Sequence, residues 1–166
     1  MNLDWFAGFA DGEGSFVITV IRQKKTGYVN ISPQLKIAIV RSGMGTLYAI
    51  QRLLAEYGLR CSVKVIEIHK SWSKNAKSQC VLLMGSRKQC LELHNLLQNR
   101  IMLRKAEFLL WAQIIKDLDQ KKHFTYAGFL DVMMQIDKLH SMRSSRGLLK
   151  YSRAYFQQNP PSQFSV

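Results

Sequence analysis

Glu13 is the residue of this 166-residue chain whose surroundings are best suited to chemistry. It lies between Gly12 and Gly14, so neither neighbour has a side chain that could shield its carboxylate. Carboxylate oxygens are ligands that hard divalent cations prefer. An acid held in this way can meet a metal ion and a bulky anion at the same time.

The segment before Glu13 is predicted to be a short apolar helix that positions this acid. Leu3, Phe6 and Ala10 recur at helical spacing, and Asn2 precedes them as a suitable N-cap. The helix is expected to end at one of the two glycines that flank Glu13, because glycine is common just past a helix end. A buried amphipathic helix alone would explain the apolar residues, but it would not explain an acid between two glycines.

Small residues are repeated one helical turn apart within this segment. Ala7 and Gly8 lie one turn before Asp11 and Gly12. This spacing allows a second helix to approach almost backbone to backbone, for the steric reason that is known from membrane helix pairs. The helix is therefore predicted to have both a core face and a face for another helix.

Residues 5–15, Trp-Phe-Ala-Gly-Phe-Ala-Asp-Gly-Glu-Gly-Ser, closely resemble the signature of the LAGLIDADG homing endonucleases. The resemblance implies an α+β fold, an αββαββα unit with a four-stranded antiparallel DNA-binding sheet, and a homodimer whose signature helices pack at the centre. By position it makes Glu13 the acidic metal ligand and lets Gly12 contribute its carbonyl. The helix–helix interface would include Trp5, Ala7, Gly8 and Asp11.

A basic residue near the start of a later helix is also implied by the resemblance. Arg104 and Lys105 are the candidates, and either would stabilise negative charge that develops on a scissile phosphate. The alternative is an ordinary basic helix start, and the sequence alone leaves both open.

The composition favours a polyanionic partner. The chain has 24 Lys and Arg against 11 Asp and Glu, a net charge of +13, and this charge is spread along its whole length. Binding of nucleic acid is then expected to depend strongly on salt. A basic surface of the ribosomal type is the alternative.

Nothing in the sequence indicates a membrane or secreted protein. There is no run of eighteen apolar residues and no basic start followed by an apolar region, so neither a membrane span nor a signal peptide is expected. Cys61, Cys80 and Cys90 lack metal-ligand spacing and are odd in number. We therefore expect thiols in a reducing intracellular compartment, either a prokaryotic cytoplasm or an organelle.

Alternating and helical patterns predict the order of elements that the resemblance requires. Residues 1–118 are predicted to form the αββαββα core, and residues 119–166 a helical extension of the same domain. Strands are predicted over 15–24, 31–41, 60–70 and 78–84, and helices over 46–57, 86–98 and 101–118. One sheet face would be covered by helices, while the other would be polar and basic and suit the major groove.

Polar and basic residues of the strands and loops are the candidates for contact with DNA. They are Thr19, Gln23, Lys25, Gln34, Lys36, Lys64, Lys70 and Gln79. A basic helix over 144–157 adds Arg146, Lys150 and Arg153. For any one of these residues, a position on a solvated surface is the alternative.

Residues 126–131, Tyr-Ala-Gly-Phe-Leu-Asp, resemble the core of a second signature but lack its Gly-Glu-Gly exit. They are predicted to begin a plain amphipathic helix, with Phe129, Val132, Met133 and Ile136 facing inward.

The predicted function is cleavage of a long, roughly palindromic double-stranded DNA target by a homodimer. Mg²⁺, or another divalent cation such as Mn²⁺, would be the cofactor. Two alternatives use the same fold: a maturase that binds intron RNA, and a DNA-binding regulator that does not cut.

Overall fold

The computed structural model describes residues 1–67, 78–143 and 149–164. Its elements follow the predicted α+β order, an αββαββα unit followed by further helices. They are α1 (Leu3–Glu13), β1 (Gly14–Arg22), β2 (Val29–Val40), α2 (Met44–Glu56), β3 (Ser62–Ile66), β4 (Gln79–Met84), α3 (Arg87–Leu97), α4 (Lys105–Asp119), α5 (Tyr126–Ser141) and α6 (Arg153–Gln158).

The four strands form one antiparallel sheet in the order β1-β2-β4-β3. Phe16 pairs with Leu35, and Ile37 pairs with Leu82. Residues directly opposite each other point to the same face, so these four side chains share one face, and all of them are fully buried. That face carries the core, as the alternation in β1 and β2 predicted.

Helix α4 provides the aromatic centre of the core. Trp111 and Phe108 are both buried on its inner side, and their rings pack on Phe16 of β1 at 5.3 and 4.7 Å between centroids. The Trp111 indole N–H donates to the Val17 carbonyl at 3.1 Å, which satisfies its polar atom inside the core. The sheet is thus tied to the helix that begins close to Glu13.

The opposite face of the sheet is less basic than predicted. Among the described strand residues, only Lys36 and Lys64 bring a positive charge to it. Each strand contributes every second residue to this face. Polar residues such as Ser32 and Gln34 are mixed there with apolar ones such as Val81. The strongly positive charge of the chain therefore lies mainly outside the strands.

The predicted C-terminal helices are partly corrected. Helix α5 buries Phe129, Val132, Met133 and Ile136 as predicted. The basic helix expected over 144–157 is wrong in its bounds, because residues 149–152 are not helical and α6 begins only at Arg153, where the Ser152 hydroxyl accepts the Tyr155 N–H. Residues 144–148 lie outside the described ranges.

Two observations bear on the expected compartment. Cys61, Cys80 and Cys90 are free thiols, and burial raises the pKa of Cys61 to about 11 and that of Cys90 to about 12. None of the helices within the described ranges has the length and apolar character that crossing a bilayer requires.

Candidate active site

Helix α1 is anchored at its start and along one side. The Asn2 side chain accepts the Trp5 backbone N–H at 2.9 Å, which confirms the predicted N-cap. Leu3, Phe6 and Ala10 are buried against the sheet side. The last residue of the anchored helix is Glu13.

The opposite side of α1 carries a strip of Trp5, Gly8 and Gly12, called here the α1 strip. Trp5 is 44% exposed. A Cβ atom added to either glycine would meet nothing within 4 Å. The chain by itself therefore has no steric need for glycine at these positions, and the α1 strip leaves room for close approach of another helix. Ala7 is only 1% exposed and faces the chain's own core, so its predicted place on the interface is corrected.

Gly14 is required for a different reason. Its φ of −73° and ψ of 152° are open to any residue, but an added Cβ would overlap the Ala10 carbonyl oxygen. That carbonyl accepts the Gly14 N–H, which ends the helix and starts β1 directly. Only glycine permits this close join, and the join fixes the place at which Glu13 leaves the helix.

Glu13 is exposed and lines two openings at the end of α1. One is a cavity of about 540 Å³ that it shares with Lys36 of β2 and with His140 and Arg143 at the end of α5. The other, of about 430 Å³, also includes Gln79 of β4. The acid thus lies beside cationic side chains and next to the open face of the sheet.

One copy of the chain offers few protein ligands for a metal here. Within the described ranges, no three His, Cys, Asp or Glu side chains lie close enough together to hold an ion. The Gly12 carbonyl lies beyond the Ala10 carbonyl, which accepts the last hydrogen bond of α1 from the Gly14 N–H, so Gly12 remains a candidate metal ligand. Glu13 and the Gly12 carbonyl are candidate oxygen donors, and water, phosphate or a second copy would have to supply the others.

Asp11 does not face another helix, and its predicted interface role is corrected. It is 5% exposed and accepts the backbone N–H groups of Met102, Leu103 and Arg104 at 2.8–2.9 Å. Burial by itself would raise the pKa of Asp11, but these three donors and the Arg104 charge outweigh it and lower the pKa. The ionised acid therefore joins α1 to the start of α4.

Arg104, one of the two predicted basic residues, is engaged inside the chain through three of the five N–H groups of its guanidinium. Its guanidinium donates to Glu107 through Nε and Nη2 at 2.8 and 2.6 Å, and through Nη1 to the Gly14 carbonyl. Lys105, by contrast, is exposed as the first residue of α4. No hydrogen bond or ion pair of Lys105 is found within the described ranges, so it is the better candidate of the two.

Glu107 and Arg143, which lie beside Arg104, were not predicted from the sequence. Glu107 is 6% exposed and also accepts from Arg143 Nε at 2.8 Å. The pairing of Glu107 with Arg104 could have been predicted, because Glu107 follows Arg104 by three residues in a predicted helix. Opposite charges at this spacing lie close together. Arg143 lies 36 residues further along, and no local pattern indicates its contact.

The register places five of the predicted DNA contacts together on the open sheet face, and these are Thr19, Gln34, Lys36, Lys64 and Gln79. Gln23 and Lys25 lie in the exposed turn after β1, where Gln23 Oε1 accepts the Thr26 hydroxyl at 2.8 Å. Lys70 and Arg146 lie outside the described residues.

The two remaining C-terminal candidates are not part of this face. The backbone N–H of Arg153 donates to Asp137 at 2.9 Å, and its guanidinium lies near Met134 Sδ, so Arg153 is packed on α5. Lys150 is exposed, and its ammonium lies 5.2 Å from the centre of the Tyr151 ring.

The family model described as "LAGLIDADG endonuclease" matches residues 6–115, so the chain belongs to the LAGLIDADG endonuclease family. The resemblance carried by residues 5–15 is thereby confirmed. Comparison of the sequence with curated proteins finds no match.

Solved homing endonucleases share the fold. I-CvuI in complex with the I-CreI target and Mg is 16% identical, with a TM-score of 0.74, and the match covers 94% of this chain and 90% of that one. Archaeal intron-encoded I-Vdi141I, complexed with DNA, is 20% identical, with a TM-score of 0.72 and coverages of 94% and 92%. I-SmaMI, bound to cleaved DNA, is 20% identical, with a TM-score of 0.71, and the match covers 98% of this chain but 50% of that chain.

Proposed function

We propose that this chain is a homodimeric, metal-dependent endonuclease that hydrolyses phosphodiester bonds in a specific duplex DNA sequence. The observation that carries the proposal is the position of Glu13. It is an exposed acid at the end of a helix whose outward strip has glycines that the single chain does not need. Family membership supports the nuclease class.

Two copies are proposed to pair through the α1 strip around a twofold axis. The pairing would bring Glu13 of each copy close to the same point, which matches the need for one acid per DNA strand. Met102 and Leu103, 77% and 86% exposed beside α1, supply apolar surface next to the strip. The match to half of I-SmaMI supports this arrangement, because two such units fit in that single chain.

A divalent cation is proposed to bind Glu13 and the Gly12 carbonyl. Two carboxylates that approach each other repel, and cations between them and the phosphates would offset that repulsion. When bound, Mg²⁺ or Mn²⁺ would acidify an attacking water and neutralise the leaving oxygen. Crystals of I-CvuI were prepared with Mg in one case and Ca in another. Lys105 would stabilise charge at the phosphate.

The open sheet face is proposed to read the major groove. Gln34 and Gln79 offer amide groups for base edges, while Lys36 and Lys64 suit phosphates or guanine. DNA complexes of the structural neighbours support duplex DNA as the ligand.

Residues 119–166 are proposed to belong to the same domain as residues 1–118. The described contacts join them to the first hairpin: Arg22 donates to the Tyr155 hydroxyl at 3.0 Å, and the Val29 N–H donates to Gln163 at 2.8 Å. The Tyr126 hydroxyl donates to the Phe156 carbonyl at 2.9 Å.

The test is selection of cleaved molecules from a random duplex library, with Mg²⁺ present, followed by kinetics on the selected site. Glu13→Gln should abolish cutting and retain duplex binding. Glu56→Gln is the matched control, because Glu56 is also exposed and also ends a helix. Binding without any cutting by the wild-type protein would overturn the proposal and favour the regulator or, with tighter binding of intron RNA, the maturase.

A further inference from the structure

Glu107 forms the centre of a buried cluster with two arginines. Its carboxylate receives Arg104 Nε and Nη2 at 2.8 and 2.6 Å, and Arg143 Nε at 2.8 Å. Only 7% of its side chain is exposed, and the two arginine side chains are 26% and 20% exposed. The cluster joins the start of α4 to the end of α5.

Both arginines also donate to the backbone of β1. Arg104 donates to the Gly14 carbonyl and Arg143 to the Phe16 carbonyl. β1 is an edge strand of the sheet, so carbonyls on its outer side have no neighbouring strand to donate to them. These two carbonyls belong to the first and third residues after Glu13.

The backbone before Glu13 is held by the same region of the chain. Asp11 accepts the N–H groups of residues 102–104, whose last member is Arg104. Residues 102–104 therefore hold the chain on both sides of Glu13. Their backbone binds Asp11, two residues before it, and the Arg104 side chain binds Gly14, one residue after it. Within the described ranges, the Glu13 carboxylate itself makes no hydrogen bond or ion pair, so its direction depends on this backbone.

We propose that Glu107, acting through Arg104 and Arg143, is a positioning residue that sets the direction of the Glu13 carboxylate. The inference rests on the proposed role of Glu13 as the metal ligand. Buried ion clusters are often replaceable by apolar residues without loss of stability, so stability alone is a weak reason to bury three charges here. Fixing a ligand to within a fraction of an ångström is a use for which such a rigid cluster is suited.

The test compares Glu107→Gln with Asp117→Asn. Asp117 is another buried acid of α4, 4% exposed, held by Gln113, Lys122 and Gln135 at the far end of the helix. Mn²⁺ binding to the protein–duplex complex is measured by electron paramagnetic resonance, together with the Mn²⁺ dependence of cleavage. Glu107→Gln should weaken Mn²⁺ binding about tenfold and leave metal-free duplex binding unchanged, whereas Asp117→Asn should change only thermal stability.

A second variant keeps the test valid if Glu107→Gln does not fold. Arg143→Lys retains the charge but cannot reach both the carboxylate and the Phe16 carbonyl as a guanidinium does. It should also raise the Mn²⁺ requirement, by severalfold. Wild-type Mn²⁺ affinity in a folded Glu107→Gln or Arg143→Lys protein would overturn the inference while leaving the proposed function intact. Absence of Mn²⁺ binding by the wild-type complex would instead overturn the proposed function, and this inference with it.

Discussion

The carboxylate of Asp11 accepts the backbone N–H of Leu103 at 2.8 Å, across 92 residues of sequence. This contact, with those to Met102 and Arg104, is the polar connection between the helix that ends at Glu13 and the loop that starts α4. Residues 102–104 direct their N–H groups at this buried acid and precede α4, which begins at Lys105. The integrity of this junction is open to measurement.

Replacement of Asp11 by Ala is expected to destabilise the fold by about 3 kcal/mol, because three N–H groups at a partly buried junction lose a charged acceptor. Urea unfolding gives the free energy. Asp4→Ala is the matched control on the same helix: Asp4 pairs with Arg100 at 2.7 Å, but its side chain is 76% exposed. Asp4→Ala should lower the free energy of unfolding by less than about 1 kcal/mol. Equal losses in the two variants would contradict a special role for Asp11.

Gly8→Leu is expected to prevent dimerisation without unfolding the chain. The single chain has open space at Gly8, while a partner helix at the α1 strip would be displaced by the new side chain. Sedimentation velocity at several concentrations measures the assembly, and circular dichroism the fold.

Gly45→Leu is the control for this prediction. Gly45 also lies in a helix with nothing within 4 Å of an added Cβ, but on α2 and not on α1. A Gly8→Leu protein that remains dimeric, or a wild-type protein that is monomeric even on its DNA target, would refute pairing through this strip.

The sequence was sufficient for elements whose pattern is local. The alternation in β1 and β2 identified the core faces, because side chains in a strand alternate whatever the distant partner is. The glycine-flanked acid was the local pattern from which the candidate site was predicted. Helix α4 was predicted to start at 101 but starts at Lys105, since its beginning is shaped by Asp11, far away in the chain.

The roles of charged residues were harder to predict. The sequence does not distinguish a positive side chain that binds phosphate from one that pairs with a buried acid. Arg104 was expected to stabilise a phosphate, yet three of its five N–H groups donate to Glu107 and the Gly14 carbonyl. Arg143 was not singled out at all. Such contacts depend on how α5 returns to the sheet edge, and this is a property of tertiary packing, not of spacing.

Lys36→Ala is expected to reduce the salt dependence of duplex binding. Lys36 lies on the open sheet face beside Glu13, and loss of one phosphate contact lowers the slope of log affinity against log salt by about 1. A random-sequence duplex serves for this measurement, since phosphate contacts do not depend on base sequence. Lys88→Ala is the control, because Lys88 is also a lysine and its side chain is 85% exposed, but it lies on α3. A changed slope for Lys88→Ala, with none for Lys36→Ala, would place the DNA on another surface.

Acidification is expected to destabilise the protein through His94, which is 4% exposed and packs on Phe108 at 5.2 Å. Burial lowers the pKa of His94, the contact with Asn95 opposes this shift, and the Lys116 charge adds to it. The folded protein therefore takes up the proton less readily than the unfolded chain. The stabilising effect is complete above the unfolded pKa of about 6.5 and is lost as pH falls below it toward the folded pKa.

The measurement for His94 is the free energy of unfolding by urea between about pH 7.5 and about pH 5.5, a range that spans the unfolded pKa of histidine. His94→Gln should show a smaller loss over this range than the wild-type protein. Some loss should remain, because burial and the Arg87 charge also lower the pKa of His123. The free energy of unfolding of the double variant His94→Gln/His123→Gln should therefore depend even less on pH. An equally steep loss in the wild-type protein and the double variant would assign the acid sensitivity to other groups.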